Sequence, residues 1–361
     1  MLWIKRLILV LLVLVVGTVA VMWLGAWASL DHDRSHTAHT AGLPLFAPNQ
    51  PDGLVRIGTG ALEFRARVAG FRTPQPKGNV VLLHGFPETS VMWTPLINTL
   101  ATAGYRVVAF DQRGYSPGAR PESVSDYQIA HLMQDVLDVA EHVGFDTFHL
   151  VGHDWGAGVG WGMAMHHAER LESWTSLSIP HLAAFGEAIA NDAEQQSKSS
   201  YMLLFRTPLL PEILLTFNGL SLLKTLYAEH ATAVREEYVT VFREPGALTA
   251  ALNWYRAAAL EDSEADPVVR LPVLFIWGNK DPAVGRSAVA AQGRYLDGPF
   301  TEVELDAGHW LMESHADLIG ASILRHLDAL YLGIPLLTSV RRSECDAPVS
   351  FWPRCWRRSV L

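Results

Sequence analysis

The sequence predicts an α/β fold in which a mostly parallel central sheet is flanked by helices. Three observations support this prediction: short apolar runs alternate with helix-like segments, one long helical insertion interrupts the alternation, and an uncharged apolar segment opens the chain. Alternating β and α segments of these lengths are typical of parallel sheets covered by helices on both faces. The chain has 361 residues, 49% of them hydrophobic, which is enough for one large core and a smaller cap.

The N-terminal segment is long and apolar enough to cross a membrane. Lys5 and Arg6 precede an uncharged run of 24 residues, 7–30, and roughly 20 apolar residues span a bilayer as a helix. Because positive charge lies mainly before this run, we predict a transmembrane anchor that leaves the rest of the chain outside the cytoplasm, on a periplasmic or extracellular face. The alternative is a signal peptide over residues 1–30 that is cleaved near Ala28, which would give a secreted protein.

Residues 31–53 are polar and contain three prolines, so we predict a linker there. His32, His36 and His39 lie in this linker at spacings that a metal could use. No cysteine or fixed scaffold supports such a site, and we interpret the three histidines as solvated and predict no metal or organic cofactor.

The core is predicted from residues 54–180 and 267–333. The run at 62–68 alternates with period two, as a half-buried strand does, and four others are continuously apolar, as strands covered on both faces are. Predicted strands cover 62–68, 79–83, 106–110, 147–151, 273–277 and 301–305, and predicted helices cover 127–142, 157–168 and 318–332.

Two further segments lie outside this alternation. Residues 181–266 have a helical pattern without a strong strand, which predicts an inserted helical cap. The tail, residues 334–361, carries five arginines and two tryptophans and is predicted to be disordered, with contact to an anionic membrane surface as the alternative. The only cysteines, Cys345 and Cys355, lie in this tail, so a disulfide scaffold and a zinc–cysteine site are excluded. A net charge of -9 without a basic domain argues against nucleic-acid binding.

The most informative segment is Gly-His-Asp-Trp-Gly at residues 152–156, between a predicted buried strand and a predicted helix. Its glycines permit the sharp strand-to-helix turn of a nucleophile elbow, but the central residue is Asp154 instead of serine. A carboxylate that attacked an ester would form a reactive anhydride. Attack at a saturated carbon, in an epoxide or an alkyl halide, would form an ordinary ester that water can hydrolyse. Asp154 is therefore predicted to be a covalent nucleophile.

Hydrolysis of such an ester requires a base and donors for the oxyanion. Asp281 follows the predicted strand 273–277, at the end where open α/β sheets place their sites, and His309 follows the next strand. The order nucleophile, acid, histidine predicts that His309 is the base and that Asp281 orients it. Residues 84–87, His-Gly-Phe-Pro, follow another buried strand, and the backbone N–H groups of Phe86 and Trp155 are predicted to form the oxyanion hole.

At this point the sequence resembles the epoxide hydrolases of the α/β-hydrolase superfamily, in its aspartate-nucleophile branch. The resemblance covers roughly residues 55–333 and depends on the segments 84–87, 111–114 (Asp-Gln-Arg-Gly) and 152–156, with Asp281 and Gly-His-Trp at 308–310. It implies an α/β-hydrolase fold with a helical cap and hydrolysis of an epoxide to a vicinal diol through an ester on Asp154.

The resemblance also implies two cap tyrosines that donate hydrogen bonds to the epoxide oxygen. Tyr201 begins a Tyr-x-x-x-Phe stretch that ends at Phe205, and Tyr255 lies in Asn-Trp-Tyr-Arg at 253–256. A phenol with pKa near 10 stays protonated at neutral pH and can donate to a developing alkoxide. Tyr227 and Tyr238 are the alternative candidates for these two cap donors. His84, Pro87, Trp155 and Phe205 are predicted to contact the substrate, and the apolar cap together with the anchor favours a small lipophilic epoxide.

Two alternative functions remain. A haloalkane or haloacetate dehalogenase would use the same nucleophile, but haloalkane dehalogenases typically carry Asn or Glu where Phe86 stands. Fluoroacetate dehalogenases carry the sequence Asp-Arg-Gly-x-Arg at the elbow, whereas this chain has Trp155 and Gly158 at the two arginine positions. A non-catalytic binding protein on the same fold usually lacks a member of the triad, and all three are present here.

Overall fold

The computed structural model describes residues 2–228, 230–260 and 267–336. Within these residues, eight strands form one sheet in the order β1-β2-β4-β3-β5-β6-β7-β8. The strands are β1 (Gly53–Thr59), β2 (Leu62–Ala69), β3 (Asn79–Leu83), β4 (Arg106–Phe110), β5 (Phe148–His153), β6 (Leu171–Leu177), β7 (Val273–Gly278) and β8 (Phe300–Leu305). Only β2 runs antiparallel to its neighbours, β1 and β4, and the remaining pairs are parallel.

Helices connect and cover these strands. They are α1 (Leu2–Ala28), α2 (Ser35–Ala41), α3 (Thr94–Thr102), α4 (Ile129–His142), α5 (Trp155–His166), α6 (Leu182–Asn191), α7 (Ala193–Ser199), α8 (Tyr201–Arg206), α9 (Leu210–Leu226), α10 (Thr232–Phe242), α11 (Ala247–Ala257), α12 (Arg286–Ala291) and α13 (Leu311–Tyr331). Short 3₁₀ turns cover Ser90–Trp93, Val124–Tyr127, Ala168–Arg170, Ala258–Leu260 and Gln292–Tyr295. The predicted α/β fold with a mostly parallel sheet is confirmed.

The central strands are apolar because both of their faces are covered. Every residue of β5 and β7 is buried, and so are the last four residues of β3 and β4. The six predicted strands are present, with ends within two residues of the prediction. The sequence analysis did not identify β1 or β6. In β6, the sequence Leu-Glu-Ser-Trp-Thr-Ser-Leu gives neither an apolar run nor a clean alternation, although six of its seven residues are buried.

Residues 31–53, predicted to be a linker, contain the short helix α2. His36 and Thr40 of this helix are buried, so the interpretation of His36 as solvated is wrong. The cause is a tertiary contact, because both the backbone N–H and the hydroxyl of Thr37 donate to the Glu244 carboxylate, at 2.6 and 2.9 Å. Arg120 also donates to Glu244, at 2.7 Å, and completes this link.

Between β6 and β7, the described residues form the helices α6 to α11, which are joined by short turns, and the bounds 181–266 of the cap stay a prediction. Ion pairs fasten this helical segment to the sheet. Arg65 of β2 donates to Asp111 at 2.9 Å and to Glu237 of α10 at 2.8 Å, and Arg67 donates to the same glutamate at 2.6 Å. The indole of Trp254 on α11 donates to the carbonyl oxygen of Arg113 at 2.8 Å. Helix α10 is therefore held at β2, and helix α11 is held at Arg113, which follows β4. Cys345 and Cys355, and nearly all of the predicted tail, lie outside the described residues.

Candidate active site

Asp154 occupies the turn between β5 and α5 in a strained backbone conformation, with φ 49° and ψ -121°. Glycines allow this turn to fit against β3. A Cβ atom on Gly156 would stand 2.2 Å from the carbonyl oxygen of Leu83, and one on Gly85 would stand 2.3 Å from the Cβ of Asp154. A non-glycine residue with such a backbone conformation costs free energy and is concentrated at functional sites. The elbow predicted from residues 152–156 is therefore present, with a single carboxylate at its tip.

His309 and Asp281 lie beside this carboxylate. Nε2 of His309 is 3.5 Å from Oδ2 of Asp154, and Nδ1 of His309 is 2.8 Å from Oδ2 of Asp281. Asp281 also accepts the backbone N–H groups of Ala283 and Val284 through its other oxygen, which fixes the carboxylate after β7. The bond from Nδ1 to Asp281 thus orients the imidazole ring, and Nε2 lies beside Asp154.

The charges of the two carboxylates control the protonation of His309. Burial favours the neutral imidazole, but the charge of Asp281 and the hydrogen bonds to Asp154 and Asp281 outweigh burial. The pKa of His309 therefore lies well above its ordinary value. Burial raises the pKa of Asp281, but the charge of His309 and the hydrogen bond to it outweigh burial and hold that pKa below its ordinary value. The two carboxylates thus favour the protonated form of His309.

The backbone N–H of Phe86 donates to Oδ1 of Asp154 at 2.8 Å. Oδ1 is thus held by the predicted oxyanion donor, while Oδ2 faces His309. Trp155, the other predicted donor, is the first residue of α5, where helix N–H groups lack partners within the helix. The Phe86–Pro87 peptide bond is cis.

The two predicted cap tyrosines, Tyr201 and Tyr255, line a cavity of about 1080 Å³ together with Asp154 and Trp155. Other parts of the wall are apolar and include Ile129, Met133, Met165, Leu182, Phe185 and Met202. Burial, followed by the charge of Asp154, raises the pKa of Tyr201, and burial together with Tyr201 and Asp154 raises the pKa of Tyr255. Both phenols are therefore protonated at neutral pH and can donate hydrogen bonds.

Aromatic packing sets the position of these tyrosines. The ring of Tyr255 packs against those of Trp155, Phe86 and Phe205, with ring centroids 4.9, 5.5 and 5.1 Å apart. Phe205 also packs edge-on against Tyr201, at 5.4 Å. Edge-to-face geometry of this kind is favourable and specific in direction. Phe205 does not line the cavity and instead supports both tyrosines from behind.

Two further residues predicted to contact substrate, His84 and Pro87, do not line the cavity either. His84 is fully buried away from the cavity wall, and its Nε2 accepts the backbone N–H of Gln112 at 3.0 Å. The carbonyl oxygen of Pro87 accepts the hydroxyl of Tyr227 at 2.5 Å, so this tyrosine is committed to a structural bond. Tyr238 is buried beside Tyr227 and does not line the cavity. Tyr201 and Tyr255 thus remain the cap donors closest to the nucleophile.

A buried polar cluster behind the site was missed by sequence reasoning. Glu88 accepts from Nδ1 of His153 at 3.0 Å, while Nε2 of His153 lies 3.0 Å from the carbonyl oxygen of His309. His230 lies 3.7 Å from Glu88 and 3.5 Å from Glu313. Burial and the charge of Glu88 raise the pKa of Glu313 to about 9, so Glu313 is protonated at neutral pH. Glu88 directly follows the 84–87 motif, but nothing in the sequence around His230 signals its contact with that residue.

Comparison with known proteins places the chain in a family. Residues 78–316 match the family model described as the alpha/beta hydrolase fold. The chain belongs to this family. Within it, the chain is similar to the epoxide hydrolases. It is 31% identical to epoxide hydrolase 4 of Homo sapiens over 74% of this chain and 76% of that protein. It is also 30% identical to epoxide hydrolase A of Mycobacterium tuberculosis, over 70% of this chain and 91% of that protein.

Solved structures of α/β hydrolases agree with this assignment. The crystal structure of epoxide hydrolase A from Mycobacterium thermoresistibile has a TM-score of 0.65 at 26% identity and covers 80% of this chain and 100% of that one. A novel epoxide hydrolase from metagenomes of hot environments has a TM-score of 0.67, also at 26% identity, and covers 77% of this chain and 99% of that one. The chain is a member of the epoxide hydrolase group of α/β hydrolases.

Proposed function

We propose that this protein hydrolyses epoxides to vicinal diols through a covalent ester on Asp154. The observation that carries the proposal is that the carboxylate of Asp154 and two protonated phenols, those of Tyr201 and Tyr255, line one cavity. An epoxide needs a nucleophile at carbon and a donor at oxygen, on opposite sides of the C–O bond that breaks.

In the first half-reaction, Oδ2 of Asp154 attacks a ring carbon and forms a C–O bond. The epoxide C–O bond breaks, and its electron pair stays on the oxygen. This oxygen accepts hydrogen bonds from Tyr201 and Tyr255 and takes a proton from one of these two phenols. Oδ1 is bound to the Phe86 N–H, so Oδ2 is the oxygen left for attack and Oδ1 becomes the ester carbonyl. The product is a neutral hydroxyalkyl ester.

In the second half-reaction, a water loses a proton to His309 and attacks the carbonyl carbon of the ester. Esterification removes the negative charge of Asp154, which is one of the interactions that raise the pKa of His309. The pKa of His309 therefore falls once the ester has formed, and the neutral imidazole needed as a base becomes accessible. The amides of Phe86 and Trp155 stabilise the oxyanion on Oδ1. The tetrahedral intermediate collapses as the bond between the carboxyl carbon and Oδ2 breaks, and Oδ2 takes the proton from His309 and leaves with the diol. Asp154 keeps one oxygen from water and releases its remaining proton, which restores the phenol.

The phenols also argue against dehalogenation. A departing halide needs N–H or similar donors but takes no proton. An epoxide oxygen stays on the substrate and must gain a proton to become a hydroxyl when its bond to the attacked carbon breaks. Two buried phenols with raised pKa values supply that requirement of the epoxide.

The deciding experiment is intact-protein mass spectrometry of His309→Gln after incubation with a panel of epoxides and a panel of alkyl halides. Without the base, the ester should accumulate, and the mass should increase by that of a whole epoxide, mapped to Asp154. The matched control is the double variant Asp154→Asn/His309→Gln, which should gain no mass.

Two results would change the assignment. An increase equal to an alkyl group, from halides only, would indicate a dehalogenase, and no adduct from either panel would favour the binding-protein alternative. A single turnover of the native enzyme in ¹⁸O-labelled water gives an independent readout. The first diol should carry no label, because its new oxygen comes from Asp154.

We further propose that α1 anchors the enzyme in a membrane, with the active site outside the cytoplasm and a lipophilic epoxide as substrate. Within the described residues, Arg6–Ala28 is apolar enough to cross a bilayer, with a mean hydropathy of 3.0. Alkaline extraction of membranes from expressing cells should leave the protein in the pellet. Release of a shortened chain lacking residues 1–28 would instead favour the cleaved signal peptide.

A further inference from the structure

The exposed apolar side chains outside α1 are concentrated in one part of the cap. Of ten such large side chains in the described residues, six lie within residues 203–226. These six, here called the cap leucine face, are Leu203, Leu204, Leu209, Leu210, Leu222 and Leu226. Leu203 and Leu209 are 67% and 69% exposed. Single exposed leucines need no explanation, but six of them within 24 residues make this segment a candidate interaction surface.

The cap leucine face belongs to the helices that contact the C-terminal end of α1. The ring of Phe217, in the middle of α9, packs so closely on α1 that a Cβ atom on Gly25 would stand 2.6 Å from it. The backbone N–H of Gly219, two residues after Phe217, donates to the hydroxyl of Ser29, four residues after Gly25, at 2.8 Å. The N–H of Asp31 donates to the carbonyl oxygen of Arg243 at 2.7 Å. The cap is thus fixed to the end of the proposed anchor.

This contact places α9 at the depth of the bilayer surface. The apolar span ends at Ala28, and Gly25 lies three residues earlier. Three residues of α-helix correspond to about 4.5 Å along the helix axis. Amphipathic helices that lie in a membrane interface bury their apolar face to a depth of about 5–10 Å. If α1 crosses the bilayer, Phe217 and its neighbours reach the interfacial layer.

The charges of this segment are compatible with such a position. Residues 201–226 contain only Arg206, Glu212 and Lys224 as charged side chains. Glu212, the only acidic one, accepts from Arg256 at 2.8 Å and is therefore neutralised. No unpaired carboxylate faces outward in residues 201–226, so the segment meets no charge repulsion from anionic lipid.

The segment cannot cross the bilayer itself. The helical stretch Ala193–Arg206 and helix α9 are together apolar enough for a broken span, but they meet at 89°. Tyr201 and Phe205 of this stretch pack at the active site, against Tyr255. A segment held at the active site on one side and apolar on the other can only lie along the surface.

We propose that the cap leucine face inserts into the interfacial layer of the bilayer that α1 crosses, so that the cap takes lipophilic epoxides from the membrane side. This proposal depends on the proposed anchoring by α1. Leu203 and Leu204 lie two and three residues after Tyr201, so the membrane-facing surface and a substrate donor share one short helix.

The test uses full-length protein in phosphatidylcholine and phosphatidylglycerol liposomes, with Cys345 and Cys355 replaced by Ser. A single cysteine carrying an environment-sensitive fluorophore is introduced in four separate variants: Leu203→Cys, Leu209→Cys, Leu14→Cys and Asp306→Cys. Leu14 reports on the anchor. Asp306 is the matched exposed control, because it follows β8 at the far edge of the sheet from β1. Turnover of a water-soluble epoxide verifies that each variant is folded.

If the proposal is right, the emission of probes at Leu203 and Leu209 shifts to the blue and is quenched by a lipid-attached spin label, because these side chains lie in the interfacial layer. The probe at Asp306 responds only to an aqueous quencher. Lipid quenching at Leu14 alone would overturn the insertion of the cap while keeping the anchor. Lack of lipid quenching at Leu14 would overturn both. Probes at Leu203 and Leu209 that are shielded from both quenchers would show that protein, such as a second copy of the chain, covers the face.

Discussion

The core and the cap contribute to the site in different ways. The core supplies Asp154, Asp281 and His309 from the ends of β5, β7 and β8, where strand geometry and backbone hydrogen bonds fix them. The cap supplies Tyr201 and Tyr255 from helices, where aromatic packing fixes them. In the proposed mechanism, Asp154 forms the covalent bond and His309 moves the proton, whereas the cap tyrosines stabilise the charge on one oxygen. We therefore expect core substitutions to abolish turnover and cap substitutions to weaken it in steps.

The largest effect is expected from Asp154→Ala. Removal of the nucleophile leaves no group that can form the ester, so kcat should fall by about four orders of magnitude or more, to the background rate. Steady-state diol formation from a chromogenic epoxide measures this loss. Residual activity within a hundredfold of the native value would mean that water attacks the epoxide directly and that the core is not a covalent catalyst.

Gly85→Ala should give the next largest loss, although it removes no functional group. The added Cβ would stand 2.3 Å from the Cβ and 2.6 Å from Oδ1 of Asp154, so the carboxylate must move. A shift of about 1 Å at a reacting group costs on the order of a hundredfold in kcat. Gly58→Ala in β1, with nothing within 4 Å of the new Cβ, is the control and should keep full activity. Equal activities of the two variants would contradict the tight elbow.

Tyr201→Phe and Tyr255→Phe test the cap. Each removes one donor to the developing alkoxide, and a hydrogen bond to a charged group contributes about 1.5–3 kcal/mol, or roughly 10–100-fold in rate. Rapid mixing should place the loss in ester formation and leave ester hydrolysis unchanged. The double variant should lose about the product of the two single losses. If Tyr238→Phe, a buried tyrosine off the cavity, were equally damaging, the assignment of donors would be wrong.

The pH dependence should separate the two half-reactions. Ester formation needs protonated phenols, and because the pKa values of Tyr201 and Tyr255 are raised, its rate should hold through pH 10, the ordinary phenol pKa. Ester hydrolysis needs neutral His309, so its rate should fall as the pH decreases below the pKa of that histidine in the ester. Single-turnover rates across pH measure both limbs. Loss of ester formation at pH 9 would argue that a phenol is ionised there.

The smallest effect concerns the attachment of the cap. Glu237→Gln leaves Arg65 with one partner instead of two and Arg67 without this carboxylate, and should cost about 1–3 kcal/mol of the free energy of unfolding. Asp306→Asn, which breaks an exposed pair with Lys280, is the control and should cost at most about 0.5 kcal/mol. Urea titration of both variants gives the comparison. Similar costs would mean that the cap is attached mainly by apolar packing.

The sequence alone determined the fold class, and it predicted the three core groups that the structure brings together. Apolar runs reveal the buried strands β5 and β7; Asp154 follows β5 directly, and Asp281 lies three residues after β7. His309 lies four residues after β8, a half-buried strand. The cap tyrosines had no signal of this kind, because helical periodicity does not indicate which face meets the cavity. They were identified by resemblance to a family.

Only the tertiary structure decided which polar residues meet. The cluster of Glu88, His153, His230 and Glu313 joins four segments far apart in the chain, and its members have no shared spacing. The same holds for helix α2, which depends on Glu244 about two hundred residues away, and for the packing of α1 on the cap. Local sequence fixes the periodicity of a helix or strand, whereas the burial of a charge depends on partners that only the folded chain brings within hydrogen-bonding distance.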